Sequence, residues 1–146
     1  MATTDTAVDT AAKTAQFADH GFTLITDHGI TTIADGVVAK LAGHTCQDIE
    51  GVASMGHTFR RLIGRITPGK ESLTQGVNVE VGTKEAAIDL VIVARYGYSI
   101  PVLAQQVRES VIAAVEAGTG LIVKEVNIEV DDLEFEEDNT GASRVE

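Results

Sequence analysis

A chain of 146 residues, 44% of them hydrophobic, has the size of one domain and enough apolar surface for a single core. Its formal charge of −11 repels phosphate backbones, which excludes DNA as an expected partner and disfavours RNA unless a local basic patch overrides the global field. The single cysteine excludes an intramolecular disulfide framework and fits a reducing compartment; no apolar run reaches the roughly 18 residues that span a bilayer, which predicts a cytoplasmic protein without direct transmembrane insertion.

In chain order, residues 1–20 are rich in Ala, Thr and Asp without a repeating apolar face, and read as a flexible leader. From Gly21 the pattern changes. Phe22, Leu24, Ile30 and Ile33 fall in two short strand-like pieces separated by a turn at Asp27-His28-Gly29. Asp35 is placed to cap a helix in which Val37, Val38, Leu41 and Ala42 face the core, ending near His44 to Gln47. Ile49 and Val52 anchor the connection that follows.

Between His57 and Gln75, Phe59, Leu62, Ile63 and Ile66 recur at helical spacing, with Arg60, Arg61 and Arg65 mostly on the opposite side. Thr58 to Lys70 holds four positive charges and no acid, an island in an acidic chain. Val77, Val79 and Val81 then alternate with polar residues as in a half-buried strand. After a turn at Gly82 to Glu85, Ala86 to Tyr96 places Ile88, Leu90, Ile92 and Ala94 on one face and Asp89, Val91, Val93 and Arg95 on the other, as in a central strand. Ser99 and Pro101 open a helix with an inward stripe of Leu103, Val107, Val111 and Ala114, closed by Gly118 and Gly120. Val126, Ile128 and Val130 form the inner row of a last strand. The stretch Glu129 to Glu146 contains eight acids and one arginine, so it carries −7, and its end reads as a solvated acidic tail over residues 133–146.

Several pieces together carry a resemblance. Ile30 to Thr45, Glu50-Gly51-Val52, the Val-x-Val-Glu-Val strand, Tyr96-Gly97 followed by Ile100-Pro101, and Val126-Asn127-Ile128 resemble the alkaline shock protein family, also called envelope stress response proteins, over roughly residues 29 to 132. The resemblance implies a small, non-enzymatic protein of Gram-positive bacteria linked to envelope homeostasis, in a family where some members are held at the membrane by partners with transmembrane helices. It implies no catalytic residue. The Ala/Thr-rich leader and the arginine-rich segment depart from the family's usual pattern.

Other motifs are weaker. His20, His28, His44 and His57 lack the paired spacing of a metal site even with Cys46 beside His44, and Cys46 reads as a small buried hydrophobe rather than an activated thiol. Gly64 to Lys70 matches the spacing of a phosphate-binding loop, yet Glu71 stands where Ser or Thr would hold magnesium and Pro68 removes a donor. Glu80, Asp89 and Glu129 read as ordinary charges on a wet sheet face rather than an acid–base cluster.

The expectation is therefore a single α+β domain over residues 21–132, a small mixed β-sheet with two principal helices packed on it. Its expected role is a scaffold without cofactor, metal or catalytic residue, self-associating and docking to membrane-anchored proteins of the same family at the inner face of the membrane. The contact residues would be the basic set Arg60, Arg61, Arg65 and Lys70 and the acidic set Asp131, Asp132, Glu134, Glu136, Glu137 and Asp138. The alternative is an RNA-binding module using the basic segment, disfavoured by the absence of Trp and by the net charge.

Overall fold

The computed structural model describes residues 21–56 and 75–135. Its centre is β5, Glu85–Arg95, which pairs along its whole length with β6, Ile122–Glu134, in parallel, and on its other edge with two antiparallel strands end to end. These are β4, Val77–Val81, against the first half and β3, Val52–Met55, against the second. The sheet is mixed, and the domain is the small α+β fold that the periodicities predict. A separate antiparallel hairpin, β1 Gly21–Thr26 and β2 Gly29–Ala34, turns at Asp27-His28 as expected.

Helix α1, Asp35–Gln47, and helix α2, Ile100–Thr119, cover one face of the sheet. A parallel partner for β5 needs a crossover, and α2 supplies it. The core joins Ile88, Leu90, Ile92 and Ala94 of β5 to Leu103, Val107, Val111 and Val115 of α2 and Val38, Ala42 and Cys46 of α1, most of them fully buried. Burial pushes the Cys46 thiol up to about 12, so it packs as a hydrophobe and is not a nucleophile.

Several local expectations need correction. Asp35 is the first residue of α1 rather than its cap; the cap position is Ala34, which has no side-chain oxygen to offer. Val37 is 46% exposed while Ala39 is buried, because a methyl group fits where the helix lies against its neighbours. In α2 the inward stripe steps by four throughout, so Val115 replaces Ala114 at its end, and Gly120 alone closes the helix, with Gly118 inside it under Leu41. Strand β6 runs on to Glu134 because it follows β5 to its end at Arg95.

Gly56 and Gly76 meet at one point of β5: the Gly56 N–H donates to the Val91 carbonyl at 2.7 Å, and the Val91 N–H donates to the Gly76 carbonyl at 2.8 Å. Gly76 has φ 74, and a Cβ there would lie 2.8 Å from the Val91 carbonyl oxygen and 2.9 Å from that of Gly56. Only glycine closes this junction. Gly56 and Gly76 thus sit beside the same residue of β5. The arginine-rich segment and the Gly64–Lys70 motif lie outside the described residues.

Candidate interaction site

Side chains on registered neighbours share a face of a sheet, so the pairing defines what faces away from the helices. That outer face carries Asn78 and Glu80 on β4, Ala87, Asp89, Val91, Val93 and Arg95 on β5, and Glu125, Asn127, Glu129, Asp132 and Glu134 on β6. It is strongly acidic with one arginine at its end. Asp89 departs from the expected wet position: it is only 7% exposed, and its carboxylate accepts from Asn78 Nδ2 at 3.3 Å and Asn127 Nδ2 at 2.9 Å. The two amides on flanking strands satisfy a charge that burial would otherwise penalise. It is a structural ladder across three strands, while Glu80 is exposed and Glu129 half-buried.

At the far end of β5 the outer face opens into a cleft of about 230 Å³ lined by Glu50, Arg95, Tyr96, Tyr98 and Glu134. The Arg95 Nε–H donates to the Glu50 carbonyl at 3.1 Å, and its Nη1 lies 3.7 Å from a Glu134 carboxylate oxygen. Backbone bonds fix the frame: Arg95 N–H to the Gly51 carbonyl, 2.9 Å, and Tyr96 N–H to the Glu134 carbonyl, 2.8 Å. Tyr96, 67% exposed, stacks on Phe135 with ring centroids 4.8 Å apart. Tyr98 rests on Gly51, where a Cβ would stand 3.0 Å from its ring and 2.7 Å from Leu103 Cδ1. Glycine here is what lets the tyrosine ring approach the backbone this closely. Ile100 and Val102, at the start of α2, extend the exposed apolar rim.

Of the residues singled out by sequence, Asp131, Asp132 and Glu134 lie on β6, and Glu134 alone enters the cleft. Asp131 is the extra residue where the β5–β6 register shifts, and its carboxylate reaches Gly56, the last described residue before the basic segment; a Cβ at Gly56 would meet both its oxygens at 3.0 Å. Arg60, Arg61, Arg65, Lys70, Glu136, Glu137 and Asp138 lie outside the described residues. Glu50, Tyr96 and Tyr98 were not singled out, because 45 residues separate Glu50 from Arg95; the signal available was that Glu50-Gly51 and Tyr96-Gly97 both carry the resemblance, and the fold brings them together.

His44 is exposed and lies 3.5 Å from Asp48, turned away from buried Cys46. Among the described residues no group of three or more His, Cys, Asp or Glu could hold a metal ion, and no helix is long and apolar enough to cross a membrane.

Comparisons with known proteins place the chain among relatives. A stress response regulator gls24 homolog of Streptococcus pyogenes serotype M1 is 36% identical over 102 residues, 69% of this chain and 56% of that protein, so the chain spans little more than half of that relative's length. The uncharacterized protein YqhY of Bacillus subtilis (strain 168) is 30% identical over 104 residues, 68% of this chain and 73% of that protein. A solved MamM CTD variant overlays 67% of this chain and 94% of its own at 13% identity and a TM-score of 0.42, a loose likeness. Residues 23–135 match the alkaline shock protein 23 family, described by a cell envelope-related function, and the chain belongs to that family.

Proposed function

We propose that this protein is a non-enzymatic scaffold of the envelope stress response, self-associating and docking to membrane-anchored partners from the cytoplasmic side. The observation that carries the reading is the exposed rim at the β5–α2 corner. Tyr96, Tyr98, Ile100, Val102 and Phe135 are all exposed; Tyr96 and Tyr98 line a cleft with fixed polar groups, Phe135 stacks on Tyr96, and Ile100 and Val102 follow at the start of α2. Aromatic residues beside a polar cleft are the usual anchors of protein contacts. The family's envelope-related description and the stress-response name of its relatives support the setting.

The RNA-binding alternative is weaker. Small sheets bind single strands through aromatics on an open face, and here that face presents Glu80, Glu125, Glu129, Asp132 and Glu134 instead. Light scattering over a concentration and salt series tests the proposal. The expected result is a mass that rises with concentration and responds to salt; a strict monomer at high concentration and low salt contradicts self-association.

A further inference from the structure

Resting on the docking reading above, we infer that the cleft of Glu50, Tyr96, Tyr98 and Glu134 receives a Lys or Arg side chain from the basic juxtamembrane segment of a membrane-anchored partner protein. Two carboxylates face one guanidinium in this cleft, so it is net negative. The Arg95 charge is already committed to Glu134, and among the described residues the Glu50 carboxylate has no ion-pair partner. Tyrosine faces beside a carboxylate attract a cation through both the ring quadrupole and the charge. The Tyr98 ring is set by Gly51 and the Tyr96 ring by Phe135, so little side-chain freedom is lost on binding.

Two other ligand classes fit less well. The amino end of α2 would favour an anion, but Glu50 and Glu134 oppose it, as does the charge of the chain. An anionic lipid surface is opposed for the same reason: a chain of −11 is repelled by the cytoplasmic leaflet. What carries positive charge at that surface is the protein segment beside a transmembrane helix, since cytoplasmic loops are enriched in Lys and Arg. An acidic protein reaches the membrane by binding that segment, and the cleft gives it a geometry.

The test is fluorescence anisotropy of a labelled, amidated Arg/Lys-rich peptide titrated with the full chain. Saturable binding is expected, weakened about tenfold by Glu50→Gln and by Tyr96→Ala, each at an exposed position, and unchanged by Asp27→Asn, which removes a like charge in the β1–β2 turn. Equal weakening by Glu50→Gln and Asp27→Asn, or no saturable binding, overturns the inference by reducing it to bulk charge or to nothing. Binding of the chain to bare phosphatidylglycerol vesicles, unaffected by the cleft variants, overturns it in favour of lipid. Fractionating cells separates this from the wider reading: wild-type chain absent from the membrane fraction defeats docking itself, whereas recruitment indifferent to Glu50→Gln and Tyr96→Ala defeats only the cleft.

Discussion

The two faces of β5 differ in kind. Towards the helices, Ile88, Leu90, Ile92 and Ala94 are fully buried in an apolar cluster that tolerates no charge. Away from them, Asp89, Val91 and Arg95 of the same strand stand among amides and carboxylates, ending in an aromatic cleft. One strand therefore carries two kinds of row by its period of two: the inner row fills the apolar core, and the outer row holds the strand's charged residues. Substitutions on the inner row should be read in stability, and those at the end of the outer row in binding.

The strongest way to break that division is Leu90→Ala, which empties a fully enclosed site and is expected to cost about 3 kcal/mol in urea unfolding. Next comes Asp89→Ala, an outer-row change with an inner-row effect. It strands the Asn78 and Asn127 amides and is expected to cost about 2 kcal/mol, and a loss near zero would show that the ladder is wet. Gly51→Ala pushes Tyr98 and Leu103 apart and should cost about 1.5 kcal/mol by the same measurement while also weakening whatever the cleft binds. Glu134→Gln removes a half-exposed pair with Arg95, and screening by solvent limits its effect on melting to about 0.5 kcal/mol or less. Cys46 gives stability no pH dependence around neutral pH. Its thiol is held at about 12 against an ordinary 9.0, so the unfolded chain releases the proton first; the stabilisation is complete below 9.0 and lost as pH rises toward about 12, which unfolding followed across alkaline pH with a Cys46→Ala control would show.

Periodicity made the inner row legible. Strand alternation located Ile88 to Ala94, and helical spacing located Leu103, Val107 and Val111 with only the last turn misjudged. Alternation says which face a residue takes but not whether that face is open, so it places Asp89 in water, whereas asparagines 11 and 38 residues away on the flanking strands enclose it. The same limit hid the cleft, whose walls come from the β3 entry, the end of β5 and the end of β6. Charge runs were visible in sequence, but of the acidic set only Asp131, Asp132 and Glu134 have a described position, and of these Glu134 alone lines the cleft.

The proposed role of the exposed aromatic corner is a contact surface through which the chain self-associates. Sedimentation velocity of the wild type beside a Tyr96→Ser, Phe135→Ser double variant tests it most directly, since both rings are exposed and their removal leaves the core intact. The account predicts a concentration-dependent assembly for the wild type and a monomer of unchanged melting temperature for the variant. Assembly of both to the same extent, or of neither, would contradict it.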